Sequence, residues 1–233
     1  MEELTILRAL GALLTYPGAE LRAALPEIAV AVERARLLPA ADRGRVASLV
    51  ATLRAGDPLD LEQAYVELFD RGRATSLHLF EHVHGESRDR GQAMVDLMQV
   101  YADAGYELTA RELPDFLPVV LEYLSCRDLA EAHAMLGDCA HILRDIGEAL
   151  VRRASSYAAV LAAVLAIAQQ PGLDWSRREE APPPERHFDD DWAETPAFAR
   201  PDAGNAGAPE VSVLRFEPRA GRKARDATSG EAQ

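Results

Sequence analysis

Helical periodicity runs through most of the first 170 residues and predicts an all-α chain. After Asp57-Pro58, apolar residues recur at the i, i+3, i+4, i+7 and i+8 spacing of one helical face: Leu61, Ala64, Tyr65, Leu68 and Phe69. Asp57 and Pro58 predict the start of this helix, because Asp accepts a first-turn N–H and Pro at the first helical position loses no hydrogen bond.

The same periodicity predicts a series of further helices, separated by Pro, Gly and Ser. These helices are expected at 2–15, 19–37, 41–53, 76–83, 88–104, 118–124, 127–136, 138–153 and 156–169. Thr109 and Glu112 have capping-box spacing and predict a helical turn there, which Pro114 and Pro118 would kink. The kink would hold Glu112 and Asp115 near a helix N-terminus, and no stretch shows sustained strand alternation.

The character of the chain changes after Pro171-Gly172. Of the 14 prolines, 8 lie from Pro171 onward, and apolar residues become scattered. We therefore expect one helical domain at 1–170 and a Pro-rich, disordered linker or tail at 171–233. The alternating segment 210–216 has two open interpretations, an unstructured stretch and a partner-binding segment.

Acidity is concentrated in the middle of the chain. The formal net charge is −13, and residues 57–124 contain 14 Asp and Glu against 5 Arg. This balance disfavours nucleic acid, whose phosphates would be repelled, and favours a cationic partner or simple solubility. The concentrated charge has two interpretations: a solvated acidic face, or a groove that binds a basic amphipathic helix.

Soluble, cytoplasmic localisation is expected without direct membrane insertion. The N-terminus begins Met-Glu-Glu, has no basic leader, and shows Leu7, Leu10 and Leu14 at helical spacing. The longest apolar run, 157–168, is too short to span a bilayer. Cys126 and Cys139 lack the CxxC spacing and are expected to be reduced, buried thiols.

Two groups of residues could carry chemistry, and neither makes a convincing active site. His78 and His82 lie at i and i+4, but His84 would point elsewhere on a helix and no cysteine is near. Glu112 and Asp115 could be an acid/base pair, yet no nucleophile accompanies them. We expect no catalytic residue, metal or cofactor; the alternative is a helical metal-binding protein or enzyme that uses the histidine cluster.

Three segments resemble the NarJ/TorD-type redox-enzyme maturation proteins, and most closely the NarJ-type nitrate reductase molybdenum cofactor assembly chaperones. The segments are Tyr65-Val-Glu-Leu-Phe69, the stretch 71–87, and Glu112-Leu-Pro-Asp115 with the following Leu117-Pro118 and Leu121-Glu122-Tyr123. The resemblance implies an all-helical single-domain bundle and no enzymatic activity. It further implies binding of the N-terminal segment of the nitrate reductase catalytic (alpha) subunit and help with molybdenum cofactor insertion before membrane docking.

The resemblance and the charge distribution together predict a groove for that basic segment. Its expected lining residues are Tyr65, Leu68, Phe69, His78, Glu81, Glu86, Glu112, Asp115, Leu117, Leu121 and Tyr123. Phe116 departs from the His that other branches carry after the acidic motif, so a nucleotide-binding role of those branches is not carried over. If the Asp115 carboxylate is exposed, reversing its charge should weaken client binding only modestly.

Overall fold

The computed structural model of the chain describes residues 4–85, 89–109, 112–177 and 216–218. Helices dominate these residues, which confirms the predicted all-α class. The helices are α1 (Thr5–Leu13), α2 (Ala19–Arg34), α3 (Ala40–Ala55), α4 (Pro58–Tyr65), α5 (Leu79–His84), α6 (Asp89–Asp103), α7 (Leu117–Ser125), α8 (Leu129–Asp138), α9 (Ala140–Arg152) and α10 (Ala158–Ile167). Short 3₁₀ turns lie at Arg73–Thr75 and Trp175–Arg177.

The core forms where α1 and α10 pack together with α7, α9 and α3. Helix α10 is buried on nearly every side, since its sequence is almost entirely apolar. The α1 and α7 backbones approach closely at Gly11, where a Cβ atom would lie 3.1 Å from the Pro118 carbonyl oxygen. A larger residue at position 11 would therefore force α1 and α7 to shift apart slightly.

The predicted start of α4 is confirmed. The Asp57 side chain accepts hydrogen bonds from the N–H groups of Leu59 and Asp60, and Pro58 is the first helical residue. The helix does not continue regularly through the predicted apolar face, because Val66–Asp70 forms a π-helical turn. The Leu68 carbonyl in this turn accepts from the Thr75 hydroxyl and, at 3.4 Å, from Arg153.

Several predicted helix bounds differ from the observed ones. The helix expected at 76–83 begins only at Leu79, because the residues before it are extended and His78 forms a bridge with Phe116. Of the helical turn expected to begin at Thr109, residues 110 and 111 lie outside the described residues; Glu112 and the residues after it are not helical, and α7 begins at Leu117.

Two short strands correct the expectation that the chain has none. Strand β1 (Tyr106–Leu108) pairs antiparallel with β2 (Phe216–Pro218), with Glu107 opposite Glu217. Strand β2 lies inside the segment expected to be disordered.

The domain limits themselves remain a prediction, but packing continues past residue 170. Leu173 is buried, and its methyl groups lie within 3 Å of the position that a Cβ atom would take at Gly147 in α9. The Arg45 guanidinium in α3 lies over the Trp175 ring at 4.5 Å from the ring centroid. Across the described ranges, none of the helices is both long and apolar enough to cross a membrane.

Candidate functional site

Five large apolar side chains are exposed on three neighbouring segments: Val83 in α5, Val95, Met98 and Val100 in α6, and Leu113 in the loop before α7. We call Val83, Val95, Met98 and Leu113 the α5–α6 surface. Val95 is 59% exposed and Met98 is 52% exposed, although each belongs to an amphipathic helix. Single exposed apolar residues are common on proteins, but neighbouring ones indicate a binding surface.

Helix α6 is anchored at both ends. Near its start, Arg90 donates to Glu81 of α5 at 3.2 Å. Near its end, the buried Tyr101 hydroxyl donates to the Pro114 carbonyl oxygen at 2.8 Å. Burial raises the pKa of the Tyr101 phenol well above its ordinary value, so this hydroxyl remains a donor at neutral pH. These contacts place α5, α6 and the Leu113 loop side by side.

The apolar face of α6 packs only in part. Tyr101 is buried, Met94 and Leu97 are half-buried, and Met98 faces solvent. Val95 lies three residues before Met98 and therefore adjoins it on the helix surface. One side of α6 contacts the protein, while an adjacent apolar strip is free to contact a partner.

Acidic side chains accompany the exposed apolar strip. Asp96 and Asp103 are exposed on α6, and each accepts a hydrogen bond from a glutamine one turn earlier. Glu107 and Glu112 are also exposed in the segments that follow. An apolar surface with carboxylates near it has the chemistry that a basic amphipathic segment requires.

A buried carboxylate joins α5 to the loop before α7. Asp115 is fully buried; its Oδ2 accepts from the Phe80 N–H at 3.0 Å, and its Oδ1 lies 3.4 Å from His78 Nδ1. The two segments also exchange backbone hydrogen bonds, from Leu79 to the Asp115 carbonyl and from Leu117 to the Leu77 carbonyl. Asp115 thus caps the first turn of α5 from a distant part of the sequence.

The predicted pairing of Glu112 with Asp115 at one helix N-terminus is wrong in its detail. Glu112 is exposed, whereas the buried Asp115 carboxylate serves α5 and not α7. Such a capping carboxylate has a structural role, which accounts for the motif without an acid/base function.

The three histidines contact three different partners. His78 faces Asp115 and stacks on Phe116, with ring centroids 5.1 Å apart. His82 Nε2 lies 2.9 Å from the Ser76 carbonyl oxygen, and the His84 ring packs edge-on against Phe80. Within the described residues, no group of three His, Cys, Asp or Glu side chains has metal-binding geometry. The absence of a bound metal in the native protein remains a prediction.

The predicted groove residues divide between core and surface. Six are buried: Tyr65, Phe69, Asp115, Leu117, Leu121 and Tyr123. Leu68, His78 and Glu81 are half-buried, Glu112 is exposed, and Glu86 lies outside the described residues. The six buried side chains belong to the interior and cannot touch a partner directly in this conformation.

Sequence reasoning missed the residues of the α5–α6 surface. The available signal was the width of the apolar arc in α6, where Met94, Val95, Leu97, Met98 and Val100 accompany Tyr101. An arc this wide exceeds the stripe that a helix needs to pack against one neighbour. The excess predicts a second contact surface on the same helix.

A family model and several known proteins that match this chain all concern nitrate reductase. The sequence model of the family described as nitrate reductase delta subunit matches residues 35–163. The nitrate reductase molybdenum cofactor assembly chaperone NarJ of Escherichia coli K12 is 48% identical over 156 residues, which cover 67% of this chain and 66% of that protein. The probable chaperone NarW of the same strain is 43% identical over 163 residues, covering 70% of this chain and 68% of its own.

A more distant relative covers most of its own length. The probable assembly chaperone NarJ of Bacillus subtilis 168 is 29% identical over 165 residues, covering 71% of this chain and 89% of that protein. The chain therefore matches slightly less than two thirds of the E. coli NarJ length and nearly all of the B. subtilis protein. These names describe assembly chaperones and no catalyst, in agreement with the prediction that the chain is not an enzyme.

Proposed function

The chain belongs to the nitrate reductase delta subunit family, and on that premise we propose that it is an assembly chaperone specific to nitrate reductase. It binds the N-terminal segment of the catalytic subunit and holds that subunit incompletely assembled. It thereby assists molybdenum cofactor insertion before the enzyme docks at the membrane. The chaperone acts in the cytoplasm and brings no metal or cofactor of its own.

The α5–α6 surface is the observation that carries this proposal. A basic amphipathic helix can place its apolar face on Val95 and Met98 and its cationic face near Asp96 and Asp103. Apolar burial then supplies most of the affinity, while the carboxylates provide orientation and long-range attraction. Of the groove residues predicted from sequence, Glu112 and the half-buried Leu68, His78 and Glu81 remain candidates for contact with the client.

Calorimetric titration with a synthetic peptide of the client N-terminus tests the apolar part of this site. Met98→Ser removes apolar surface without adding charge, and Leu59→Ser on α4 is the matched control because Leu59 is also exposed, at 71%. Since Met98 is already half-exposed, we expect a loss of about 1 kcal/mol, or roughly five-fold in Kd. Equal Kd values for wild type and both variants would contradict the assignment of the site.

The acidic part is tested by charge reversal at exposed positions. Asp96→Lys should weaken binding by up to about 1 kcal/mol at low salt, and the difference should shrink at high salt because exposed charges are screened. Asp138→Lys, at an exposed position on α8, is the control for net charge. If both variants lose affinity equally, the acidic side chains of α6 have no specific role.

A further inference from the structure

Strand β1 is an edge strand fixed to the helical core from one side. The Tyr106 ring packs edge-on against Tyr123 at 5.8 Å between centroids, and its hydroxyl donates to the Cys126 carbonyl oxygen at 3.3 Å. Leu108 packs against the core, whereas Glu107 between them is exposed. Alternate residues of a strand face opposite sides, so Tyr106 and Leu108 contact the core while Glu107 points away from it. These contacts hold β1 in an extended conformation, and the backbone N–H and C=O groups along its edge can pair with another segment.

The chain itself supplies the strand that pairs with this edge. Phe216–Pro218 runs antiparallel to Tyr106–Leu108 and is separated by a long stretch of sequence from Arg177, at the end of the helical region. The pair contains three residues on each side and, within the described residues, has no third strand. Two-stranded pairs of this size are only marginally stable, so the contact can open.

Charge at the centre of the register weakens the pair further. Glu107 and Glu217 occupy facing positions, and like charges at facing positions of an antiparallel pair are destabilising. In the sequence around β2, residues 215–225 contain four Arg and one Lys against one Glu. In sequence, β2 is thus flanked by basic residues, and Glu217 occupies the register position opposite Glu107, where a basic residue would pair better.

We propose that the edge of β1 is a docking site for a short, extended and basic peptide segment, and that Phe216–Pro218 occupies it as a displaceable internal ligand. Backbone pairing to β1 supplies affinity, and Glu107 selects for a basic residue at the facing position. The tether keeps the internal segment at an effective concentration on the order of millimolar, which a weak contact needs in order to be populated. This site does not depend on the proposed client function.

Hydrogen–deuterium exchange on the full-length chain tests the internal contact. Glu217→Lys and Glu107→Lys each place opposite charges at the facing positions, and we expect amide exchange in β1 to slow by about two- to five-fold. The double variant restores like charges, and its exchange should return to the wild-type rate. Glu210→Lys makes the same charge change outside the strand and should leave the rate unchanged.

Isothermal titration of the full-length chain with two synthetic peptides of residues 212–224 tests the docking site. The peptide carrying E217K should bind about two- to five-fold more tightly than the native peptide. The proposal is overturned if neither peptide binds, or if Glu210→Lys slows exchange as much as Glu217→Lys. Protection that rises with protein concentration would also overturn it, because a second copy would then supply the strand.

Discussion

Replacement of Asp115 should destabilise the protein far more than its position in an acidic region suggests. The carboxylate is fully buried, accepts from the Phe80 N–H at 3.0 Å and faces His78 at 3.4 Å. In Asp115→Ala the first turn of α5 loses its capping acceptor, and the backbone donor has no replacement. The expected effect is therefore on the free energy of unfolding and not primarily on client affinity.

The size of the effect follows from the hydrogen bonds that each substitution removes. A hydrogen bond to a charged group is worth about 1.5–3 kcal/mol, and truncation in a buried site adds a small cavity, so Asp115→Ala should cost about 2–4 kcal/mol. Asp115→Asn keeps one acceptor oxygen and should cost about 1 kcal/mol. Asp115→Lys places an unpaired ammonium in a buried site and should cost about 3–5 kcal/mol. The modest effect expected for an exposed carboxylate does not apply.

Urea denaturation followed by circular dichroism measures these free energies, and hydrogen exchange reports whether α5 opens first. Glu112→Ala is the matched control, because Glu112 lies in the same loop with an exposed side chain. This control should remain within about 0.5 kcal/mol of wild type. The capping argument is refuted if Asp115→Ala is as stable as Glu112→Ala.

Three further predictions concern packing and reactivity. Gly11→Ala should lower the free energy of unfolding by about 1–3 kcal/mol, because the new Cβ would lie 3.1 Å from the α7 backbone. Gly44→Ala in α3 should raise it by about 0.5–1 kcal/mol, because a Cβ there meets nothing within 4 Å. Thermal melts of both variants check the sign. Arg153→Ala should lower the free energy of unfolding by about 1 kcal/mol, because it removes the donors to the Leu68 carbonyl and the Thr75 hydroxyl. Arg152→Ala, at the neighbouring exposed position, is the control in the same denaturation assay. Burial raises the pKa of Cys139 to about 12, so little of the reactive thiolate is present at pH 8. Iodoacetamide at pH 8 should therefore leave Cys139 unmodified in the folded protein and modify it in urea. Rapid modification of the folded protein, measured by mass spectrometry, would contradict this prediction.

Sequence reasoning succeeded where the determining interactions are local. The Asp57-Pro58 start depends on groups two or three residues apart, and the structure has the same cap. The joint at Ser155-Ser156 likewise lies between α9 and α10 as predicted. The joint predicted at Gly137 lies inside α8, because the observed break occurs two residues later at Cys139.

Prediction failed where distant segments decide the outcome. The helix expected from Ser76 begins at Leu79 because residues 77–79 pair with 115–117, a contact that no local pattern reveals. For the same reason the Asp115 carboxylate caps a different helix from the one that the sequence predicts. Strand β1 has three residues, which is too short for alternation to be recognised, and its partner lies more than 100 positions away.

The close packing of α1 against α7 has a consequence for synthesis of the chain on the ribosome. Leu117, at the start of α7, follows Leu13, at the end of α1, by more than 100 positions. At about 5–20 residues per second, translation needs on the order of ten seconds to make the intervening stretch. During this interval the leucines of α1 lack α7, against which they pack most extensively, so we expect the nascent chain to bind general chaperones until α7 has been made.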